Sequence, residues 1–469
     1  MDSNRPSDGK TPTVLIVGAG LAGLLFAIIL DRASIPYQIY EKAKVVKPLG
    51  SIISLSANIL PVFEQLSLYE ELESISLPGS TFEIFNGKIK RIGFFQMSGR
   101  GNRSFSRPRL YDMLLSKIPA DRIHYGKKIV NTAQDKDGVN ITCADGTSYH
   151  GDLLVGADGA YSAVRTSLYK QMAEDKILPP SDAEELKKGY TCAVGTSRPL
   201  DAAKFPVLAK KDSGGVLVIG DEVMYCWGLF AVNDNRITWD VVSQIATRPN
   251  EEDVRDAGWG PESNSDFVKE IRHFKLPEAY GGGVLGDLID ETPPENISRV
   301  YLEDKMFSTL FHNRTVLIGD AAHKLLPSSG QGAVNAMEDA VILANCLYDI
   351  GTTSPGDIKA ALQSYKDQRL PHVIEQYKAS KATAKFMYGH TFLERCIRFA
   401  VFNLIPTWKM NEMTQKDAAY RPQITFLPLA PNLDASYVEP QFPNRRYEVE
   451  QKAKKEAEHA SQPSTAAVV

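Results

Sequence analysis

The sequence predicts an α/β fold with a second, sheet-rich domain and a helical C-terminal region. Residues 13–42, TVLIVGAGLAGLLFAIILDRASIPYQIYEK, have the pattern of a strand, a glycine turn, an apolar helix and a second strand. Between 188 and 305, alternating and aromatic-rich segments predict an antiparallel sheet. From 332 onward, long helical patterns dominate. A chain of 469 residues is long enough for these parts to form more than one domain.

The composition excludes several classes of protein. A net charge of −4 lacks the basic excess that nucleic-acid binding leaves in a sequence. The five cysteines are scattered and form no C-x-x-C pair, which argues against a disulfide framework and against a zinc or other metal site. The first ten residues lack the apolar core of a secretion signal, and no apolar run reaches the roughly 18 residues of a membrane span. These features predict a protein of a reducing compartment such as the cytoplasm, with no nucleic-acid partner.

The same patterns divide the chain into predicted regions. In chain order these are a disordered tail (1–11), a discontinuous dinucleotide-binding domain (12–80, 100–187 and 300–350), a second domain (81–99 and 188–299), a helical region (351–445) and a second disordered tail (446–469). Pro371 lies inside the longest helical pattern and predicts a break or kink there.

Gly18, Gly20 and Gly23 form a G-x-G-x-x-G pattern between the first strand and the first helix. The first glycine permits a tight turn, the second lets the backbone approach a pyrophosphate, and the third lets the helix pack close to the strand. The helix N-terminus adds N–H groups and a partial positive charge for the phosphates. Glu41 ends the next strand. A carboxylate at this position accepts hydrogen bonds from ribose hydroxyls and disfavours a 2′-phosphate. The pattern predicts a Rossmann-type site for FAD or NAD rather than NADP.

A second glycine-rich loop, GDAAHKLLPSSGQG at 319–332, follows an apolar run and precedes an apolar helix. It is longer than packing requires and contains an acid, His323, Pro327 and two glycines that bracket a glutamine. His323 has the chemistry of a catalytic base, whereas its neighbours favour a structural role. The sequence leaves both interpretations of His323 open.

Three segments share an order and spacing that is typical of one family. They are GAGLAG with Glu41, GDLLVGADGAYSAVR (151–165) and GDAAHKLLPSSGQGAVNAMEDA (319–340). Together they resemble the single-component (group A) FAD-dependent monooxygenases of the aromatic-hydroxylase type. LEDKMF and IGDAAHKLLPSSGQGA look most like the fungal epoxidases and hydroxylases of indole-diterpene, meroterpenoid and indole-alkaloid pathways. The resemblance implies a Rossmann-type FAD-binding domain with an inserted mixed or antiparallel-sheet substrate domain and C-terminal helices.

The resemblance also implies FAD contacts beyond the first glycine turn. Arg107, in SRPRLYDML, matches the R-x-x-L segment whose arginine reaches the FAD phosphates. Arg109 competes for this role, but Leu110 and Leu114 favour the register that uses Arg107. Asp158 matches the DG motif, with a simple turn-forming role as the alternative. The remaining implied FAD contacts are Ser54, Asp320, Gly332 and Ala333.

The resemblance further implies a reaction and its participants. NADPH or NADH would visit transiently to reduce FAD, and O2 would then give a flavin C4a-hydroperoxide that transfers one oxygen atom. The implied substrate is a bulky apolar secondary metabolite, prenylated, terpenoid or indole-containing, that is epoxidised or hydroxylated. Arg198, in VGTSRPL, lies where related fungal enzymes place a catalytic arginine. Tyr225, in EVMYCWG, could offer a phenol to the substrate, although a core aromatic is the simpler interpretation.

Other functions use the same fold. A flavin-dependent halogenase would carry a W-x-W-x-I-P segment, which none of the four tryptophans supplies. An oxidase or dehydrogenase, and a non-catalytic FAD-fold protein, remain as alternatives. The sequence does not indicate an oligomeric state.

One apolar stretch near the C-terminus has two interpretations. CIRFAVFNLIPTW (396–408) contains a single arginine and is too short to span a bilayer. Docking on the body of the protein is the simpler interpretation, and weak contact with a membrane surface is the other.

Overall fold

The computed structural model of the protein describes residues 11–46, 52–96, 101–220, 225–245, 265–389, 391–405, 409, 419–431 and 438–461. The strands in these ranges are β1 (Val14–Val17), β2 (Tyr37–Glu41), β3 (Ile52–Ser56), β4 (Leu77–Pro78), β5 (Thr81–Asn86), β6 (Arg91–Gln96), β7 (Asn102–Ser106), β8 (Ile123–Tyr125), β9 (Ile129–Gln134), β10 (Val139–Cys143), β11 (Ser148–Gly151), β12 (Leu153–Gly156), β13 (Lys187–Thr196), β14 (Gly215–Ile219), β15 (Tyr225–Val232), β16 (Arg236–Gln244), β17 (Ser298–Met306), β18 (Phe311–His312), β19 (Thr315–Leu317) and β20 (His323–Lys324). The helices are α1 (Leu21–Ala33), α2 (Leu60–Gln65), α3 (Tyr69–Ser74), α4 (Arg107–Leu115), α5 (Ala163–Glu174), α6 (Pro180–Ala183), α7 (Ser265–Ile271), α8 (Leu285–Asp290), α9 (Gly332–Tyr348), α10 (Pro355–Tyr388), α11 (Phe392–Leu404) and α12 (Arg445–Ser461).

A six-stranded sheet in the order β18-β19-β12-β1-β2-β8 organises the first domain. β1 lies inside it and pairs in parallel with both β12 and β2. All four residues of β1 are buried, because helices and neighbouring elements cover both faces of a parallel sheet. The apolar helix α1 connects β1 to β2, so the glycine turn lies at the carboxyl end of β1. This is the predicted Rossmann arrangement.

An eight-stranded sheet in the order β20-β17-β13-β16-β15-β14-β5-β6 forms the second domain. Its neighbours pair antiparallel except for β14 and β5, which are parallel. The sheet also takes in β17, which extends to Met306 and so beyond the boundary predicted at 299. Glu303, Asp304 and Lys305 in this strand are buried with polar partners, which obscures the alternating pattern in the sequence.

The two faces of this sheet carry separate clusters of buried side chains. One face packs against α7, α8 and the segment between them, and it carries Tyr225, Trp227 and Trp239. The opposite face, which we call the loop face, carries Cys192 and packs against Leu326 and α10. Because successive residues of a strand point to opposite faces, neighbouring residues in the sequence belong to different clusters. A shift of the strand register by one residue would move each side chain to the opposite cluster.

The C-terminal helices close the structure. α9 packs against α1 and α10, which brings the second glycine-rich loop next to the first domain. α10 continues through Pro371, so the predicted break is absent. The buried side chains of Arg369 and Val373 hold the helix on both sides of the proline, and this packing offsets the lost backbone hydrogen bond.

The predicted disorder of 446–469 is wrong for the part of that tail which the structure describes. α12 spans Arg445–Ser461, and the remaining residues lie outside the described ranges, as do residues 1–10 of the N-terminal tail. The side chain of Glu450 accepts a hydrogen bond from the Tyr348 hydroxyl at 2.7 Å, and Arg446 donates to the Tyr348 carbonyl oxygen. Contact with α9 therefore orders a segment whose composition alone predicts disorder.

The helix α11 occupies most of the apolar stretch at 396–408, whose last three residues lie outside the described ranges. Its inner side docks on the body of the protein, because the Phe402 ring packs edge-on against Phe95 and Arg398 donates to the carbonyl oxygens of Phe386 and Gly389. Among the described residues, no helix combines the length and the apolar character needed to cross a membrane.

Candidate active site

The glycine turn after β1 has the geometry of a phosphate cradle. Gly18 has φ +103°, and a Cβ atom there would lie 2.4 Å from the carbonyl oxygen of Ala157. A Cβ atom at Gly23 would lie 2.2 Å from the carbonyl oxygen of Gly18, so only glycine lets α1 approach the turn. At Gly20 the nearest atom to a Cβ would be 4.0 Å away, which leaves open space in front of the backbone. Two glycines are thus required by the fold, and the third leaves room for a pyrophosphate.

The end of α1 that faces this space suits an anion. Gly20 provides no side-chain cap, and the first turn of the helix contains no acidic residue. The Glu41 carboxylate lies beside the same turn, where it accepts hydrogen bonds from the backbone N–H groups of Ala19 at 2.9 Å and Ala43 at 2.8 Å. The helix N-terminus would bind phosphates, and a hydrogen bond from ribose hydroxyls to Glu41 stays a prediction.

The second half of the site is the loop from Gly319 to Gly332, which joins β19 to α9. No atom lies within 4 Å of where a Cβ would stand at Gly330 or Gly332, so the backbone is open on that side. Gln331 gives α9 no side-chain cap, and the first turn has no acidic residue. A Cβ at Gly319 would lie 3.0 Å from Ala336 and 3.5 Å from Ala22, so the loop packs closely on both α9 and α1. The predicted contacts Gly332 and Ala333 therefore lie at the start of a helix that packs against α1.

A buried charge network fixes this loop. The Asp339 carboxylate, which is fully buried in α9, accepts from the Gly319 N–H at 2.8 Å and from His323 Nε2 at 2.6 Å. Arg369 Nε of α10 donates to its other oxygen at 2.7 Å, and Arg369 Nη1 lies 3.0 Å from Glu338 Oε2. Burial alone would raise the pKa of Asp339, but His323 and Arg369 outweigh it and lower the pKa to about 2.

This network assigns His323 a structural position. Its ring is buried, and because the ionised Asp339 can only accept, Nε2 of His323 must carry the hydrogen of their bond. No role for Asp339 or Arg369 is predicted from the sequence. The adjacent acids in the apolar run VNAMEDAVIL were an available signal for Asp339, whereas Arg369 belongs to a stretch that looks like an ordinary charged helix surface.

Asp158 of the DG turn is engaged within its own segment. Its carboxylate accepts from the Ser162 hydroxyl and from the backbone N–H of Ala163 at 2.7 Å, which caps α5. Arg165 donates to the carbonyl oxygen of Ala321 at 2.9 Å, and its guanidinium lies 4.2 Å from the centre of the Phe307 ring. The turn therefore supports the second glycine-rich loop, and a direct contact of Asp158 with FAD stays a prediction.

Asp320, Arg107 and Ser54 also stay predictions as FAD contacts. Asp320 is partly accessible and pairs with Lys324. Arg107 begins α4, is exposed, and has no ion-pair partner among the described residues, whereas Arg109 pairs with Asp234. The complete burial of Leu110 and Leu114 in the same helix agrees with the register that leaves Arg107 free. Ser54 lies on β3, which packs against α9, and its hydroxyl is 3.1 Å from that of Ser104.

The two residues predicted to act on the substrate lie away from this loop. The Tyr225 hydroxyl donates to Glu270 Oε1 at 2.7 Å, and its ring packs against Phe274 on the face of the sheet opposite Leu326. Arg198 is exposed and follows the last residue of β13. The glycine-rich loop adjoins the end of β17 that pairs with the first residues of β13. The Tyr225 hydroxyl therefore lies on the face of the sheet away from the loop, and the catalytic roles of Arg198 and Tyr225 stay predictions.

The fold and the two-part cradle define a flavoprotein with a Rossmann-type site. Residues 11–185 and 283–380 match the FAD binding domain family, and these ranges include both glycine turns and the Asp339 network. The chain belongs to this family, and its cofactor is FAD.

Relatives and solved structures agree with this assignment. The chain is 31% identical over 395 residues to the FAD-dependent monooxygenase paxM of Penicillium paxilli, covering 80% of this chain and 78% of the relative. It is 28% identical over 452 residues to the FAD-dependent monooxygenase ausM of Emericella nidulans, covering 91% and 89%. HpxO of Klebsiella pneumoniae, solved with FAD and uric acid, has a TM-score of 0.70 at 22% identity and covers 87% of this chain and 97% of its own. The predicted fold class is confirmed, and the protein is an FAD-dependent monooxygenase.

The contrast between Gly20 and Gly23 gives a test of the cradle. Gly20→Ala should change the free energy of unfolding by less than about 1 kcal/mol, since its Cβ meets no close atom, but weaken FAD binding about tenfold. Gly23→Ala should lower the free energy of unfolding by about 2 kcal/mol, because its Cβ collides with the Gly18 carbonyl. Urea unfolding of the apoprotein and FAD titration by fluorescence quenching measure the two effects. Equal FAD affinity in the wild type and Gly20→Ala would contradict the cradle.

His323→Ala tests the structural position of this residue. We expect the free energy of unfolding to fall by about 1–3 kcal/mol, because the buried Asp339 loses a hydrogen-bond donor. Lys324→Ala is the matched control, which removes only a partly exposed pair and should cost less than about 1 kcal/mol. Turnover per bound FAD should be retained in His323→Ala. Unchanged stability together with lost turnover would instead indicate a catalytic histidine.

Proposed function

We propose that this protein uses FAD, NADPH or NADH, and O2 to epoxidise or hydroxylate a bulky apolar secondary metabolite that is prenylated, terpenoid or indole-containing. The observation that carries the proposal concerns the second glycine-rich loop (319–332), which we call the FAD loop. This loop and the loop face of the eight-stranded sheet contribute to one cluster of side chains. Leu326 of the loop belongs to this cluster. The sheet contributes apolar and aromatic side chains to it, namely Phe82, Phe95, Tyr190, Val194, Leu217 and Val300.

Bound FAD would supply the redox chemistry, in which two electrons from NADPH or NADH and one O2 yield the oxygenated product and water. The residues of the chain would bind the cofactor and the substrate, orient them relative to each other, and exclude water. The open N-terminus of α9 at Gly332 would face the flavin and stabilise negative charge on it, since no acidic side chain competes in its first turn. The apolar loop face would hold the substrate near the flavin and keep the site dry.

The substrate class is supported by the chemistry of the loop face and by the relatives. Aromatic and branched apolar side chains bind large apolar molecules through buried area rather than through charge. The relatives named above are FAD-dependent monooxygenases of filamentous fungi, and the Penicillium paxilli protein is the more similar of the two in sequence identity.

Isotope incorporation tests the reaction. The FAD-loaded protein, with NADPH or NADH, should transfer one labelled oxygen atom from ¹⁸O₂ into an accepted prenylated indole or terpenoid, as mass spectrometry would detect. The control uses unlabelled O2 in H₂¹⁸O and should give no label in a hydroxylated product. Stoichiometric hydrogen peroxide with a desaturated product would contradict the proposal and indicate an oxidase. FAD binding without any reaction on such compounds would contradict the substrate class.

We also propose a weak contact between α11 and a membrane surface, in keeping with an apolar substrate. The outer side of this helix is apolar and exposed, with Phe392 84%, Phe399 64% and Leu404 71% accessible. Arg395 is exposed on the same helix and would favour anionic headgroups. The inner side is held on the protein through Phe402 and Arg398, so the outer side is presented in a fixed orientation.

Vesicle binding tests this contact. The wild-type protein should co-sediment with vesicles of phosphatidylcholine and phosphatidylserine, and Phe392→Ser with Phe399→Ser should lower the bound fraction several-fold through lost apolar burial. Phe442→Ser is the matched control, because Phe442 is 76% accessible but lies outside α11. FAD content should be unchanged in all variants. Wild-type protein that stays in the supernatant would rule out the membrane contact.

A further inference from the structure

One carboxylate on the loop face has no structural role within the described residues. Asp240 lies on β16, between Val194 of β13 and Gly228 of β15. Its neighbours Trp239 and Val241 belong to the cluster on the opposite face, so the Asp240 side chain points to the loop face. There it lies on the side of the sheet that contacts Leu326 of the FAD loop.

The sheet leaves space for this side chain. A Cβ atom at position 228 would lie 2.3 Å from Asp240 Oδ1, so the carboxylate extends across the strand over Gly228. Any residue other than glycine at 228 would displace it. The Asp240 side chain remains partly accessible, although protein atoms surround it closely.

The Asp240 carboxylate makes no hydrogen bond or ion pair with another residue in the described part of the chain, although its backbone pairs within the sheet. The groups that face it are weak acids, namely Cys192 on β13, Cys226 on β15 and Tyr388 at the end of α10. Among the neighbouring groups, Arg398 of α11 acts on Cys226. Glu394 and Asp304 act on Tyr190, and Lys385 and Arg398 act on Glu394. Burial without a compensating cation raises the pKa of Asp240 to about 7.

Such a group destabilises the fold unless something binds it. Transferring a carboxylate out of water is unfavourable, and it is normally offset by a hydrogen-bond donor or a cation. Elsewhere on this sheet the buried acids follow that rule, because Glu303 accepts from Tyr161 and Asp304 accepts from Tyr377. Asp240 is the exception, and it lies where the proposed substrate would lie.

We propose that Asp240 binds an N–H or O–H group of the substrate and thereby orients an otherwise apolar molecule on the loop face. This inference rests on the proposed function. Cys192 and Val242, which flank Asp240 on this face, belong to the same buried cluster as Leu326. The substrate would therefore have one polar donor at Asp240 and its apolar body along the sheet towards the FAD loop. An indole N–H and a terpenoid hydroxyl both fit this requirement.

Matched ligand pairs test the proposal with FAD-loaded protein. The probes are 3-dimethylallylindole and its N-methyl derivative, and farnesol and its methyl ether, with binding followed by the flavin absorption spectrum. In the wild type, the donor-bearing member of at least one pair should bind about tenfold more tightly than its methylated partner. The pair that shows the preference distinguishes an indole from a terpenoid alcohol. Asp240→Leu should abolish this preference, whereas Asp240→Asn should keep part of it, because the amide oxygen still accepts.

The control is Asp290→Asn, which removes a carboxylate on the other side of the sheet, where Asp290 pairs with Arg272. It should retain the full preference. Equal binding of both members of every pair, or an undiminished preference in Asp240→Leu, would overturn the role of Asp240. If none of the four probes binds to FAD-loaded wild-type protein, the substrate class itself fails, and the inference fails with it.

Thermal unfolding provides an independent measurement that needs no ligand. Asp240→Asn should be at least as stable as the wild type, because it removes an unpaired buried charge. Its advantage should be larger at about pH 8 than at about pH 5, since the folded protein resists ionisation of Asp240 up to about pH 7. A loss of stability in Asp240→Asn would reveal a structural role and would contradict the proposal.

Discussion

The candidate active site depends on the buried carboxylate of Asp339. This group joins the second glycine-rich loop, α9 and α10, because it accepts from the Gly319 N–H, from His323 and from Arg369. A buried ion pair of this kind adds little net stability, since desolvation of its charges offsets most of their attraction. Its effect is to fix the position of the loop. Any arrangement that separated Asp339 from one of its partners would leave a buried charge without compensation, so the loop has one favourable arrangement. The packing of α9 on α1 then sets this loop against the glycine turn about 300 residues earlier in the chain.

In the second domain, the alternation of side chains along each strand determines which residues point to which face of the sheet. Trp239 and Asp240 are adjacent in sequence, yet one is buried in the core under α7 and α8 and the other points to the loop face. Cys226 likewise faces α10, where its thiol contacts the carbonyl oxygen of Met387, while Tyr225 faces away. The residues that point to the loop face are therefore set by the register of β13, β15 and β16. This is why the aromatic composition of a strand did not reveal which of its residues point to that face.

The sequence was informative where one short segment contains the whole physical requirement. The Gly18 turn, Glu41 and the glycines before α9 are local patterns. Each lies at the turn, strand end or helix start that the pattern predicts, while their contacts with FAD stay predictions. Arg369 could not be found in this way, because its partners lie 30 and more residues earlier and its own helix looks solvent-exposed in sequence. The helix at Arg445–Ser461 was missed for a similar reason. Its order comes from Tyr348 and Asp349, which contact Glu450 and Arg446, and not from its own composition.

The distribution of charge gives the two sides of the site opposite preferences. Around the predicted FAD position, α1 and α9 begin without acidic residues in their first turns, so their N–H groups and dipoles favour phosphates and a negatively charged flavin. On the loop face, burial raises the pKa of Asp240 to about 7, so this position disfavours negative charge and its carboxyl oxygens favour a hydrogen-bond donor. A substrate with a polar donor at one end and an apolar body would fit both sides of the site only when its donor lies at Asp240. Its apolar end then remains for the flavin. The same charge distribution that holds the cofactor would thus select which end of the substrate is oxidised.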